Sequence, residues 1–143
     1  MTGEVGVLLV QGSTSAPTNG AERQVVLVVD DEEMVRMLVE ATLRRGPYRV
    51  VTAGDGEAAL AAARTHRPAA VVLDVTMPGL DGVEVCQRIK ADPATRHAIV
   101  IMLTARTQPD DHARALAAGA DEYVVKPFRP GELLQRLGNR LGR

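Results

Sequence analysis

Five polar residues stand at the ends of short apolar runs. Asp30 and Asp31 end the run Val25–Val29, Asp74 ends Val71-Val72-Leu73, Thr104 ends Ala98–Leu103, and Lys126 ends the segment from Glu122 to Val125. Carboxylates brought together repel one another and are stabilised by a hard cation. Mg²⁺ takes a few oxygen ligands, keeps waters and often completes its shell with substrate phosphate. An aspartate can accept a phosphoryl group as an acyl phosphate. The new negative charge then needs a cation, a lysine and a hydroxyl or backbone donor nearby. Asp31, Lys126 and Thr104 supply those types, so the chemistry indicated is metal-assisted phosphorylation of Asp74. Each residue alone has a plainer reading: Asp74 as a turn cap before Met77-Pro78-Gly79, Asp30-Asp31 as a helix N-cap, Thr104 as a turn hydroxyl, Lys126 as a solvated charge. Their convergence on one edge is what favours the chemistry.

Convergence requires a particular set of elements. Val25–Val29 is a β-branched run, read as a strand buried on both faces. The acidic stretch Asp30–Glu33 begins a helix in which Val35, Leu38, Val39 and Leu43 recur at helical spacing, and Gly46-Pro47 stops it. A second strand is expected over Arg49–Ala53. Asp55 is placed to cap a helix from Gly56 to His66. A third strand is expected over Ala69–Leu73, a helix from Gly82 to about Ala91, and a fourth strand over Ala98–Leu103. A fourth helix opens at Pro109-Asp110-Asp111, with acidic residues suited to its first turn. Glu122–Val125 is a short fifth strand, and a last helix from Pro130 carries Leu133, Leu134, Leu137 and Leu141. Five strands alternating with five helices imply an α/β fold with a parallel sheet covered on both faces. In such a sheet the carboxyl ends of the strands share one edge, where ligands bind. Alternation alone does not give strand order.

Length suits one domain with a core of ordinary size. With Tyr48, Tyr123 and Phe128 as its aromatic residues and no Trp, the core must be aliphatic. A formal net charge of −1 gives no general pull toward nucleic acid or membrane surfaces. No apolar run approaches the roughly 20 residues that span a bilayer. Cys86 is the single cysteine and has no internal disulfide partner, which fits a reducing compartment. Residues 1–24 read as a flexible N-terminal tail. Val5–Val10 is a brief apolar run without a basic region ahead of it, and Gln11–Gly20 is polar and aperiodic.

Five ordered signals resemble the receiver domain of two-component response regulators: Val28-Val29-Asp30-Asp31-Glu32, Leu73 through Gly82 (Leu-Asp-Val-Thr-Met-Pro-Gly-Leu-Asp-Gly), Met102-Leu103-Thr104-Ala105, Gly119 through Tyr123, and Lys126-Pro127-Phe128. Each is weak alone, whereas all five in order are highly specific. The resemblance spans about Gln24 to Leu141 and places the receiver domain at residues 25–143. It implies a doubly wound, flavodoxin-like fold with five parallel strands in the order 2-1-3-4-5.

The resemblance also implies roles. Asp74 matches the phosphoryl-accepting aspartate, Asp31 a direct Mg²⁺ ligand, Asp30 its neighbour acting largely through water, and the backbone carbonyl of Thr76 a third protein ligand. Lys126 matches the lysine that pairs with the phosphoryl group, with its bond to Pro127 cis. Thr104 matches the switch hydroxyl, and Tyr123 the aromatic that turns inward behind it. Thr76 and Arg106 occupy two variable positions thought to tune access of the hydrolytic water. Arg129 is a departure, since Ser or Asp would cap the last helix better.

Other features read blandly. His66, His97 and His112 share no metal-ligand spacing and are expected at the surface. Cys86 is expected to be packed and inert. Arg136, Arg140 and Arg143 suit the dipole at the end of the last helix and are expected on a solvated face, without contact to nucleic acid. Function follows as a cytoplasmic phospho-acceptor switch, with a histidine kinase or phosphotransfer protein upstream. The downstream target is unknown and is met by the face of helix 4, strand 5 and helix 5; phosphorylation-linked homodimers on this side are common in the family. The leftover residues hold no output module, yet the receiver of a longer regulator would read the same. An aspartyl-phosphate hydrolase is disfavoured because its second Asp, two residues on, is here Thr76. A phosphorylation-independent scaffold is disfavoured by the presence of Asp31, Asp74, Thr104 and Lys126.

Overall fold

The computed structural model describes residues 23–105 and 109–142. The expectations for residues 1–22 of the tail, for Arg106 and for Arg143 lie outside them; Gln24, expected as the end of the tail, instead opens the first strand, paired with Tyr48. The elements alternate throughout: β1 (Gln24–Val29), α1 (Glu33–Leu43), β2 (Tyr48–Ala53), α2 (Gly56–His66), β3 (Ala70–Asp74), α3 (Gly82–Ala91), β4 (Ile99–Ala105), α4 (Pro109–Ala117), β5 (Glu122–Lys126) and α5 (Pro130–Leu141). All five strands are parallel, in the order β2-β1-β3-β4-β5. Every expected element is present. The differences lie at strand ends: β3 and β4 begin one residue later than expected and run on to include Asp74 and Thr104, respectively.

Strand alternation divides the core into two layers. Val26, Val28, Val72, Ile101, Leu103 and Val124 pack beneath Leu43 of α1 and Leu133 and Leu137 of α5. Leu27, Val29, Val71, Leu73 and Met102 pack on the other face against Ala59 of α2, Val85 and Ile89 of α3, and Ala115 of α4. Small alanines on α2 and α4 let these helices approach the sheet closely. Cys86 is fully buried in the second layer, and burial pushes its thiol up to about 11. It is packed, as expected.

Local chemistry sets where the helices start. The Asp55 carboxylate accepts from the Ala58 N–H at 2.8 Å, and the Asp81 carboxylate from the Glu84 N–H at 3.0 Å. Arg129 makes no such bond; Pro130 in the first turn of α5 needs none of its own. Gly82 begins α3 directly against β3. Its N–H donates to the Val75 carbonyl at 2.9 Å, and a Cβ there would collide with the Asp74 carbonyl oxygen. Glycine at that point fixes how closely α3 supports the segment that carries Asp74.

Candidate functional site

The carboxyl edge of the sheet gathers the polar strand ends. Asp30 follows β1 and is fully buried. Its backbone N–H donates to the Ala53 carbonyl at 3.3 Å, and its carboxylate accepts from the Glu32 N–H at 2.9 Å. Arg36, one turn into α1, donates to the Asp30 carbonyl at 2.8 Å. Asp30 is thus held from three sides, and Glu32, the residue before α1, has no side-chain cap of its own. Asp31 beside it is exposed. Asp74 is the last residue of β3, opposite Leu103 of β4, and only 6% exposed. One carboxylate oxygen from each of Asp30, Asp31 and Asp74 lies within 4.8 Å of the others.

Among the described residues a single ammonium faces this cluster. Lys126 ends β5, and its Nζ lies 3.4 Å from Asp30 Oδ2 and 3.4 Å from Asp74 Oδ1. The Lys126–Pro127 peptide is cis. Burial pushes the Asp74 carboxyl up to about 6, with repulsion from Asp30 adding to it; Lys126 and the Thr76 N–H pull the other way without prevailing. For Lys126, burial alone would favour the neutral amine, but Asp74 and Asp30 outweigh it and hold the pKa above its usual value. Asp74 is therefore mostly a carboxylate at neutral pH, poorly solvated and only partly compensated. A cleft of about 300 Å³ opens above it, lined by Asp31, Glu32, Asp74, Thr76, Ala105 and Lys126.

Three carboxylates against one ammonium suit a small hard cation. Oxygen donors from two strand ends, one of them exposed to solvent, allow a shell that keeps several waters, as Mg²⁺ prefers. Thr104 stands at the same edge, paired with Val125 of β5. It is buried, and its Oγ1 has no hydrogen-bond partner among the described residues. Tyr123 is half-buried and stacks on His112 of α4. The structure thus brings Asp31, Asp74, Thr76 and Lys126 to one cleft, with Asp30 buried in the same group of carboxylates, and the Thr104 hydroxyl at this edge has no partner among the described residues.

Some participants were not singled out from sequence. Arg36 holds the Asp30 carbonyl; Glu32, which lines the cleft, and Gly82, which sets the backbone beneath Asp74, stood in the motifs without a role of their own. His112, expected at the surface, is half-buried because its ring is taken up by Tyr123. Arg136 and Arg140 are not simply solvated: both bind Glu122 of β5, at 2.7 and 2.6 Å. Glu122 is the first residue of β5 and α5 runs back beside it, which draws the two guanidinium groups to one carboxylate.

Residues 26–138 match the response regulator receiver domain family. The chain belongs to that family. Over 112 residues the receiver is 44% identical to the alkaline phosphatase synthesis transcriptional regulatory protein PhoP of Bacillus subtilis (strain 168), covering 78% of this chain and 46% of that protein. It spans about half the length of the curated relatives it matches. Among solved structures it is similar to the chemotaxis response regulator CheY4 of Vibrio cholerae, with a TM-score of 0.76, 36% identity and coverage of 82% of this chain and 98% of that one. It is also similar to the receiver domain of the sensor histidine kinase PA1611 from Pseudomonas aeruginosa PAO1, with a TM-score of 0.77, 34% identity and coverage of 85% and 99%. That structure has a magnesium ion coordinated in its active-site cleft. The receiver is thus of the two-component response-regulator type. No helix among its described residues is long and apolar enough to cross a membrane.

Proposed function

We propose that this receiver is a phospho-acceptor switch in which Asp74 takes a phosphoryl group from a histidine kinase or phosphotransfer protein. The observation that carries this reading is the group of three carboxylates with one lysine 3.4 Å from both Asp30 and Asp74. Asp31, Asp74 and the Thr76 carbonyl would hold Mg²⁺ directly, with Asp30 acting through water. When bound, the ion neutralises charge that develops on the transferring phosphoryl oxygens.

The receiver's own groups do the rest. An Asp74 carboxylate oxygen attacks phosphorus as the bond to the donor nitrogen breaks, and the donor imidazole leaves with the electron pair. Partial burial leaves that oxygen lightly hydrated, so little water has to be displaced. Lys126 moves from sharing two carboxylates to pairing with the new phosphoryl group. Thr104 supplies its unengaged hydroxyl to a phosphoryl oxygen, and Tyr123 turns inward in the space behind it. The result shifts an existing equilibrium at the face formed by α4, β5 and α5, where a target protein or a second copy binds.

The relatives support a second reading of the output. PhoP is described as a transcriptional regulatory protein, and MtrA of Mycolicibacterium smegmatis as a DNA-binding response regulator; the receiver spans 46% of the first and 52% of the second. In that reading the same switch governs a DNA-binding domain on the same polypeptide. Both readings share one test. Incubation with acetyl phosphate should add a phosphoryl group only when Mg²⁺ is present, and hydroxylamine should remove it, because an acyl phosphate is open to attack at its carbonyl. A hydroxylamine-stable product, or equal labelling in excess EDTA, would count against the proposal.

A further inference from the structure

His112 and Tyr123 form a stack with ring centroids 4.5 Å apart and planes inclined by 16°. The contact joins α4 to β5. The Nε2 of His112 is shut off from solvent and has no hydrogen-bond partner among the described residues. Among the described residues, the contact that holds this side of the ring is therefore the face-to-face stack and not a hydrogen bond at Nε2. The other buried side-chain polar atom without a partner among those residues is Thr104 Oγ1. The two belong to one neighbourhood. Tyr123 is paired with Met102, and Thr104 lies two residues further along the same strand, hence on the same face. Tyr123 packs on that face against the layer that contains Met102 and Ala115.

We infer that His112 is a positioning residue for Tyr123: its imidazole holds the phenol ring against α4, and so sets how readily that ring turns inward behind Thr104. The inference rests on the phospho-acceptor reading and adds a residue to it. In this proposal, rotation of the Tyr123 ring away from His112 gives up the stack, so the stack favours the resting arrangement. Aromatic stacks of this kind shift an equilibrium by about two- to tenfold. Removal of the imidazole should then make activation easier, and a ring without nitrogen should restore the resting balance.

The test uses the full chain labelled with 3-fluorotyrosine. It has two tyrosines, and Tyr48, at 2% exposure, serves as an internal reference for Tyr123. Fluorine NMR follows Tyr123 during titration with beryllium fluoride in the presence of Mg²⁺, as a mimic of the phosphoryl group. His112→Ala should lower the concentration for half-conversion by about two- to tenfold, and His112→Phe should return it to the wild-type value. An unchanged or raised midpoint in His112→Ala would overturn the inference, as would a His112→Phe protein that behaves like the alanine variant. Intact mass after acetyl phosphate treatment separates the two levels. A phosphoryl gain without a His112 effect overturns the inference alone, whereas no gain and no response to beryllium fluoride in the wild type overturn the phospho-acceptor reading and the inference together.

Discussion

The two ends of β5 carry two charge clusters built on opposite terms. At its start, Glu122 receives Arg136 at 2.7 Å and Arg140 at 2.6 Å, and Arg136 also holds Glu132 at 3.0 Å. Two negative charges meet two positive ones. Burial alone would raise the Glu122 pKa, but hydrogen bonds from Arg140 and Arg136 outweigh it and hold the carboxyl below its usual range. At the end of the same strand, Lys126 faces Asp30 and Asp74, with Asp31 in the same group of carboxylates, and the Asp74 carboxyl is pushed up to about 6. The first cluster is complete and has the form of a fastener between α5 and β5. The second, among the described residues, has fewer positive charges than negative ones, and its Asp30 and Asp74 are closed to full hydration. Such an arrangement lowers stability, and a poorly compensated carboxylate in a cleft is what the proposed uptake of a cation and a phosphoryl group would use.

Removal of Lys126 should break this comparison most severely. Lys126→Met leaves three carboxylates without their ammonium and the transferred phosphoryl group without its partner. Phosphorylation by acetyl phosphate should slow on the order of 100-fold, measured as the initial rate of mass gain. A rate within a factor of two of wild type would show that the lysine serves only the resting fold.

Asp74→Asn should act on stability in the unusual direction. The unfolded aspartate titrates at 3.8 and the folded one at about 6, so between these values the folded chain binds the extra proton. The stability contributed by that proton is complete below about pH 3.8 and is lost as pH rises through about 6. At pH 7 without divalent cations the burden approaches roughly 3 kcal/mol, and the loss of one Lys126 partner offsets part of it. In urea unfolding, Asp74→Asn should therefore gain on wild type across pH 4–6 and hold the gain above pH 7. A variant less stable than wild type at pH 7 would contradict the account of burial and repulsion.

The legible and the illegible parts of the fold differ for physical reasons. β-branched runs marked the buried strands and helical spacing marked α1 and α5, whereas α2, α3 and α4 were read largely from caps and from Pro and Gly stops; β3 is buried along its whole length and carries no periodicity of its own. Asp55 was readable as a cap because its bond to Ala58 is three residues long. Strand ends were less legible: Asp74 and Thr104 belong to β3 and β4 because neighbouring strands extend the pairing, which local sequence does not record. The site's strand-end residues were readable because a parallel sheet collects them on one edge. The partners of His112, Arg136 and Arg140 were not, since each bond crosses between separate elements. A histidine on a helix looks alike whether it meets water or a tyrosine on the next strand.

Two smaller effects would sharpen the contrast. Asp31→Asn, at an exposed position, should weaken Mg²⁺ binding on the order of tenfold by calorimetry, with little change in the metal-free melting temperature. Unchanged affinity would remove Asp31 from the metal site. Glu122→Gln should cost about 1 kcal/mol or less, since its arginines remain partly solvated, and should leave the rate of phosphorylation unaltered. A large loss of rate in Glu122→Gln would mean that the two clusters are coupled through β5.

The central claim is that Asp74 is the phosphoryl acceptor. Intact mass after incubation with acetyl phosphate and Mg²⁺, with Asp74→Asn treated in parallel, tests it most directly. One phosphoryl group on the wild type and none on Asp74→Asn is the predicted result. Equal phosphorylation of both would contradict it and place the acceptor elsewhere.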